Sequence, residues 1–319
     1  MTIFDYRSPD YADALNSLYR RPAVPPEIEA RAREIVGDVM MRGDAAVLEQ
    51  IARFDGVALD AASLKVSEAE FLEAERSVSD RTKEAVRDAI AHLTEYAERT
   101  IPKAWTMSPR PGVTLGEKFS PMRRVGCYVP GGTAPLVSSV LHTVAIARAA
   151  GVREIVAATP PMKNGKVNPA TLYAMKAAGA TEFCKMGGAT AIAAMAYGTE
   201  TVTPVDKIVG PGNAYVAAAK RLVYGKVAID MVAGPSEIMV VADDSANPAF
   251  AAADILSQAE HGSGLEQAVL VTDSERILHA VREQIDLQAK TLHRQGPLRK
   301  VLENGVFLIL CRDRKEARE

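Results

Sequence analysis

Cysteine is scarce in this sequence. Cys127, Cys184 and Cys311 are the only three in 319 residues, an odd number, far apart and without a CxxC pair. That excludes a disulfide framework and a zinc site built from thiolates, and it agrees with a reducing cytoplasm. An excess of one charge is also lacking, with 38 Lys and Arg against 40 Asp and Glu and a net charge of -2. No basic footprint for nucleic acid or for a membrane face follows, so no partner of either kind is expected from charge. No run approaches the roughly 18 apolar residues of a membrane span, and the opening MTIFDYRSPDYADALNSLYRR has no apolar core of signal-peptide length. The simplest expectation is a soluble cytoplasmic protein. Several catalytic signatures are missing as well. There is no GxGxxG with an acidic residue about twenty positions on, no HExxH and no GxSxG elbow, which disfavours a standard Rossmann phosphate site, a zincin and a serine hydrolase. Low-complexity tracts and short repeats are absent too.

What is present reads as a globular protein of 48% hydrophobic and 24% charged residues, long enough that two domains are the default. Residues 1–25 form an expected arm, broken by Pro22 and Pro25. From Pro26 to about Pro102 the apolar positions recur at helical spacing (Ile28, Ala32, Ile35, Val36, Val39, Met40, then Val86, Ile90, Leu93, Tyr96), giving a helix-rich segment. The periodicity fails over Trp105–Pro121, where a domain crossing is expected. From Val125 short apolar strands (GCYVP, EIVAATPP, EFCKM, DKIVGP) alternate with Ala-rich helical windows, the signature of βαβ units and a covered parallel sheet. The alternation resumes after the Gly-Pro-Ser-Glu turn at 234–237, with a helix over about 247–260, the strand AVLVTD, a helix over 274–293 and the strand VFLILC. The fold class expected is therefore α/β: two incomplete Rossmann-like units with parallel sheets, one inserted in the other, plus the helix-rich N-terminal segment. The boundaries expected are 26–123 with 241–319 for the outer, discontinuous unit and 124–240 for the insert, with a cleft between them.

The residues that could carry chemistry sit at the ends of these strands. Gly131-Gly132-Thr133 and Gly210-Pro211-Gly212-Asn213 each follow a strand and precede a helix, which suits either an anionic ligand at a helix N-terminus or a plain tight turn. Gln258 and His261, three apart and read as sharing a helix face, could supply two zinc positions, although hydrogen-bonding residues are the commoner meaning of that spacing. Ser236 could hold a polar substrate or satisfy its own turn.

Taken together, VGCYVPGGTAPLVSSVL, GGATAIAAMAYGTETV, DKIVGPGNAYVAAAKR, IDMVAGPSEIMVVAD and ILSQAEH, in this order and spacing, resemble the histidinol dehydrogenase family from about residue 30 to the end. The resemblance implies an NAD-dependent, zinc-dependent oxidoreductase of histidine biosynthesis. Such an enzyme oxidises L-histidinol to L-histidine through the aldehyde and works as a homodimer. It implies that Gln258 and His261 are zinc ligands and substrate contacts, that Ser236 contacts substrate, and that Tyr128 and Asn213 contact NAD. Thr190 stands where the family usually has an NAD-contacting glutamine, and HGSGLEQ replaces a more acidic continuation. The family's catalytic Glu-His pair, the Asp and His completing its zinc shell and its helical tail have no counterpart in these 319 residues. Weak or absent turnover and loose zinc binding are therefore expected of this polypeptide. The two departures also leave open a paralogue acting on another small polar alcohol, and the missing pair leaves open a non-catalytic nucleotide- or partner-binding remnant.

Overall fold

The computed structural model describes residues 1–18, 25–131, 136–234, 236–261, 266–292 and 295–318. The chain divides into a continuous unit, Val24–Ala233, and a second unit formed by Met1–Ala23 together with Gly234–Glu319. The first is thus inserted in the second, as the alternation of elements implies.

In chain order, β1 (Thr2–Asp5) and α1 (Tyr11–Leu18) open the outer unit. Four helices open the inserted unit: α2 (Pro26–Arg42), α3 (Asp44–Phe54), α4 (Glu68–Ser77) and α5 (Asp80–Thr100). A hairpin of β2 (Trp105–Arg110) and β3 (Val113–Glu117) follows, and then β4 (Arg124–Tyr128). The next helix is α6 (Val137–Val140), a π turn at Leu141–Ala145 and α7 (Ile146–Ala149). After it come β5 (Glu154–Thr159), α8 (Pro169–Ala178), β6 (Glu182–Lys185) and α9 (Gly188–Tyr197). The unit ends with β7 (Lys207–Val209), α10 (Ala214–Val223) and β8 (Ala228–Ile229). The outer unit resumes with β9 (Glu237–Ala242), α11 (Pro248–Ala259), β10 (Gln267–Thr272), α12 (Glu275–Gln288), α13 (Gln295–Asn304) and β11 (Val306–Leu310).

The inserted unit is built on a five-stranded sheet of order β6-β5-β4-β7-β8, parallel throughout. All five residues of β4 are buried, the expected state of a strand covered on both faces. One face packs with α9, α10 and the stripe Ile35, Val36 and Val39 of α2. The other packs with the π-turn helix, α8 and Val86 of α5. Local signals agree with these elements. Ser67 and Glu70 form a capping box at α4, and Asn168 caps α8, which has Pro169 in its first turn and Gly179 in the left-handed region after its end.

The outer unit has a four-stranded sheet of order β1-β11-β10-β9, again all parallel. Helices α11, α12 and α13 cover one face, and Tyr11, Leu15 and Leu18 of α1 pack on Val269, Val271 and Ile309 of the other. No helix among the described residues is long and apolar enough to cross a membrane.

Three expectations need correction. The opening residues are not an arm, because β1 pairs with β11, Phe4 opposite Ile309. The helices over 26–123 do not join residues 241–319; their apolar stripes are consumed by the five-stranded sheet, and Met40 and Tyr96 face solvent. Trp105–Pro121 is not a crossing but carries the β2–β3 hairpin, exposed at nearly every position. The crossing falls at Ala233–Gly234 instead. On the two sides of the Gly-Pro-Ser-Glu turn, β8 closes one sheet and β9 is the edge of the other, with Met239 and Val241 exposed.

Candidate functional site

From β4 the chain of the inserted unit steps outward to β5 and β6, then returns to the other side of β4 with β7 and β8. At such a reversal the connections after the two central strands leave in opposite directions, opening a crevice outside the carboxyl ends of the strands. Cys127 is paired with Val209, so Tyr128 and Gly210 are the next residues outward. Two of the expected cofactor residues, Tyr128 and Asn213, belong to the segments at this place.

Tyr128 is buried, and its phenol oxygen accepts a hydrogen bond from the amide of Gly188 at 3.0 Å. Burial pushes its pKa up to about 12, so the phenol stays neutral with its proton available to an acceptor. Gly188 opens α9, and Thr190 lies in the same first turn but is only 4% exposed. Gly131 is exposed, and the rest of the Gly131-Gly132-Thr133 motif lies outside the described residues.

The second loop is built around Gly210, whose φ of +127° is open to glycine and strained for other residues. A Cβ there would fall 2.2 Å from the carbonyl oxygen of Tyr128. Asn213 caps α10, its Oδ1 accepting from the amides of Tyr215 and Val216, both at 3.1 Å. The oxygen is thereby committed to the helix, and the residue is exposed.

Three charged residues at this end of the unit escaped sequence reasoning. Lys220 is 2% exposed, donates to the carbonyl of Gly210 at 3.0 Å and pairs with Asp230. Asp230 accepts from the amide of Gly210 at 2.8 Å. A lone lysine in the Ala-rich window of α10 was the one available signal. The third, Asp55, ends α3, and its carboxyl charge is felt at the Tyr128 phenol. Burial pushes Asp55 up to about 6, only partly offset by Lys163, whose ammonium binds the Asp55 carbonyl at 2.8 Å.

Because the folded state holds this proton more tightly than the unfolded chain does, Asp55 favours folding most fully below the unfolded value near 3.8, and that contribution is lost as pH rises through about 6. The variant Asp55→Asn is expected to be more stable than the parent by about 1 to 3 kcal/mol at pH 8, with the gain vanishing below pH 4. Urea unfolding at the two pH values measures it, and equal gains at both would refute it.

Ser236, Gln258 and His261 belong to the outer unit. Ser236 is exposed just before β9, and its carbonyl accepts from Gln267 at the start of β10 at 3.3 Å. Helix α11 runs back from the end of β9 toward the start of β10, bringing Gln258 in its last turn to the same edge. All three residues are thus placed at the amino-terminal edge of this sheet, opposite to the edge usual for open α/β folds. At the carboxyl edge Arg314 pairs with Asp243 at 2.5 Å and Asp273 at 3.8 Å. One expectation fails in detail. His261 is not on the helix, which ends at Ala259 with Glu260 as its cap; it lies one residue beyond, its amide bonded to the Gln258 carbonyl at 3.2 Å.

As a metal site this edge is partial. The Nε2 of Gln258 is buried without a hydrogen-bond partner; a side-chain amide binds a metal through its oxygen, so this nitrogen is a stranded donor and not itself a ligand position. Zinc takes four ligands of N, O or S type. Gln258 and His261 fit two of them, and no group of three His, Cys, Asp or Glu residues is gathered for a metal among the described residues.

The glycine loop and capped helix at a sheet reversal place the chain among the Rossmann-like α/β proteins. The family model described as histidinol dehydrogenase matches residues 19–319. Histidinol dehydrogenase of Geobacillus kaustophilus is 49% identical over 284 residues, 89% of this chain and 66% of that protein. That of Methanothermobacter thermautotrophicus is 42% identical, over 99% of this chain and 72% of its own length. The crystal structure of histidinol dehydrogenase from Elizabethkingia anophelis superposes with a TM-score of 0.89 at 35% identity, covering 98% of this chain and 71% of that one. The chain belongs to the histidinol dehydrogenase family. It spans about two thirds of the length of these relatives.

Proposed function

We propose that this chain carries the NAD-binding unit and the first part of the substrate and zinc site of an enzyme that oxidises histidinol to histidine through the aldehyde. The observation that carries the reading is the crevice edge of the inserted unit, where Tyr128, the Gly210 loop and the cap of α10 converge at the carboxyl ends of β4 and β7. NAD supplies the hydride acceptor, and its binding falls to Asn213 as amide donor, to Tyr128 as a neutral phenol and to the first turn of α9 with Thr190. A threonine hydroxyl reaches less far than the family's glutamine, so Thr190 contributes the weakest of the three contacts. Ser236 holds the polar substrate. Gln258 and His261 would hold zinc, which supplies a Lewis acid to bind and orient the substrate. A homodimer in the cytoplasm is the setting that goes with this reading.

Calorimetric titration with NAD tests it. The parent chain is expected to bind, and Asn213→Asp, which keeps an acceptor for the cap but loses the donor, is expected to bind at least about tenfold more weakly with its melting temperature unchanged. Asn213→Ala loses the cap as well, at about 1 kcal/mol. Equal affinity for all three removes Asn213 from the site.

A further inference from the structure

The Gly210 loop is held in an unusual way. Both hydrogen-bonding groups of a single glycine are taken by one side-chain pair: Asp230 accepts from its amide and Lys220 donates to its carbonyl. Asp230 also accepts from the amide of Met231 at 2.7 Å, which fixes its carboxylate where β8 ends. Lys220 projects from α10, the helix that the loop itself leads into. Loop, helix and final strand are tied through one residue.

Burying a lysine is costly, and replacing a buried ion pair by apolar side chains often leaves a protein as stable or more so. Stability alone therefore gives little reason for a lysine at 2% exposure in a helix whose other core positions are alanine and valine. The pair does something an apolar contact cannot: it orients the two peptide groups that meet at Gly210. Gly210 lies against the Tyr128 carbonyl and sets the course of Pro211-Gly212-Asn213 into the helix. A backbone in a glycine-only conformation has many alternatives, and two directional bonds to rigid elements remove them.

We propose that Lys220 and Asp230 are positioning residues for the dinucleotide, holding the loop preformed so that Asn213 and the Tyr128 end of β4 meet the cofactor without a cost of ordering. The proposal rests on the reading of this loop as the cofactor loop. Neither side chain is assigned a contact with the cofactor itself.

Three variants of the full chain test it: Lys220→Met, Asp230→Asn and, as a control, Arg124→Met. Arg124 is a similarly buried cation, paired with Glu154 and Glu182 at the opposite ends of the same strands. In calorimetric titration with NAD, each loop variant is expected to raise Kd at least about tenfold. The double variant should be no worse than the weaker single, as for residues that form one network around a single residue. Arg124→Met should leave Kd unchanged whatever it does to the melting temperature. Hydrogen exchange provides the second readout: the amides of Gly210 and Asn213 should exchange faster in the loop variants, while those of β4 and β5 keep their protection. Affinity within twofold of the parent in the folded loop variants overturns the proposal, as does an equal loss in Arg124→Met. If Lys220→Met does not fold, Asp230→Asn, altered at a partly exposed carboxylate, decides alone. If the parent itself binds no NAD, the cofactor reading of the loop falls; the exchange data still decide on positioning, and unchanged protection at Gly210 refutes it.

Discussion

Gly210→Ala is expected to destabilise the inserted unit by about 2 to 6 kcal/mol and to abolish measurable NAD binding. Two costs add. A non-glycine residue held in a sparsely populated backbone conformation costs about 1 to 3 kcal/mol, and Gly210 sits at φ +127°. The methyl would also lie 2.2 Å from the Tyr128 carbonyl oxygen and 3.0 Å from its carbonyl carbon. Those are backbone atoms of a strand bonded on both sides, so they cannot retreat, and overpacking of this kind costs about 1 to 3 kcal/mol more. Gly225→Ala separates the two terms. Its φ is +99° and nothing lies within 4 Å of the added methyl, so it should show the conformational cost alone, about 1 to 2 kcal/mol, with NAD affinity intact. Urea denaturation followed by circular dichroism gives both numbers. A Gly210→Ala protein as stable as Gly225→Ala would mean that β4 and β7 can part, and the close approach would lose its meaning.

The same geometry shows why parts of this molecule could be read in the sequence and others could not. β4 and β5 are legible because strands covered on both faces need continuous apolar runs, and after β4, β6 and β7 a glycine at 131, 187 or 210 marks the way into a helix. β1 is not, since its four residues find their partner only in β11, some 300 positions away, and nothing local encodes that pairing. The hairpin escapes for the opposite reason: with both faces wet, Trp105–Glu117 has no alternation to detect. Assigning 26–123 to the wrong unit has a similar origin, because an amphipathic stripe declares that a helix packs and is silent about which sheet receives it. In the site, Asn213 is legible because a helix cap is local. Lys220 and Asp230 meet directly, but only because α10 and the end of β8 fold against the same loop, so no spacing in the sequence reports the pair. His261 falls two residues past the helix end at Ala259, within the uncertainty that helix boundaries always carry.

Gln258→Met should act in opposite directions on stability and on zinc, and the contrast identifies what the residue is for. In the metal-free protein the Nε2 of Gln258 is buried without a partner, and such an atom costs about 1 to 3 kcal/mol of desolvation. Methionine has nearly the same shape, no polar group to strand and good helix propensity. The metal-free variant is therefore expected to be more stable by about 1 to 3 kcal/mol. Zinc affinity should fall by about a hundredfold or more, since loss even of an outer-shell partner costs tenfold to a hundredfold. The added stability that a ligand confers when present at a hundred times its Kd, about 2.7 kcal/mol, should disappear with it. His261→Ala should share the loss of zinc without the gain in stability, because the residue is exposed and relieves no buried group when removed. Equilibrium dialysis against zinc, with thermal melts in chelator and in excess metal, separates these effects. If Gln258→Met instead destabilises the metal-free chain, the amide serves the fold. If both variants take up zinc like the parent, the ligand assignment is wrong. The expected pattern, a stabilised protein that has lost its metal, is the signature of a polar group kept in the interior for chemistry at the fold's expense.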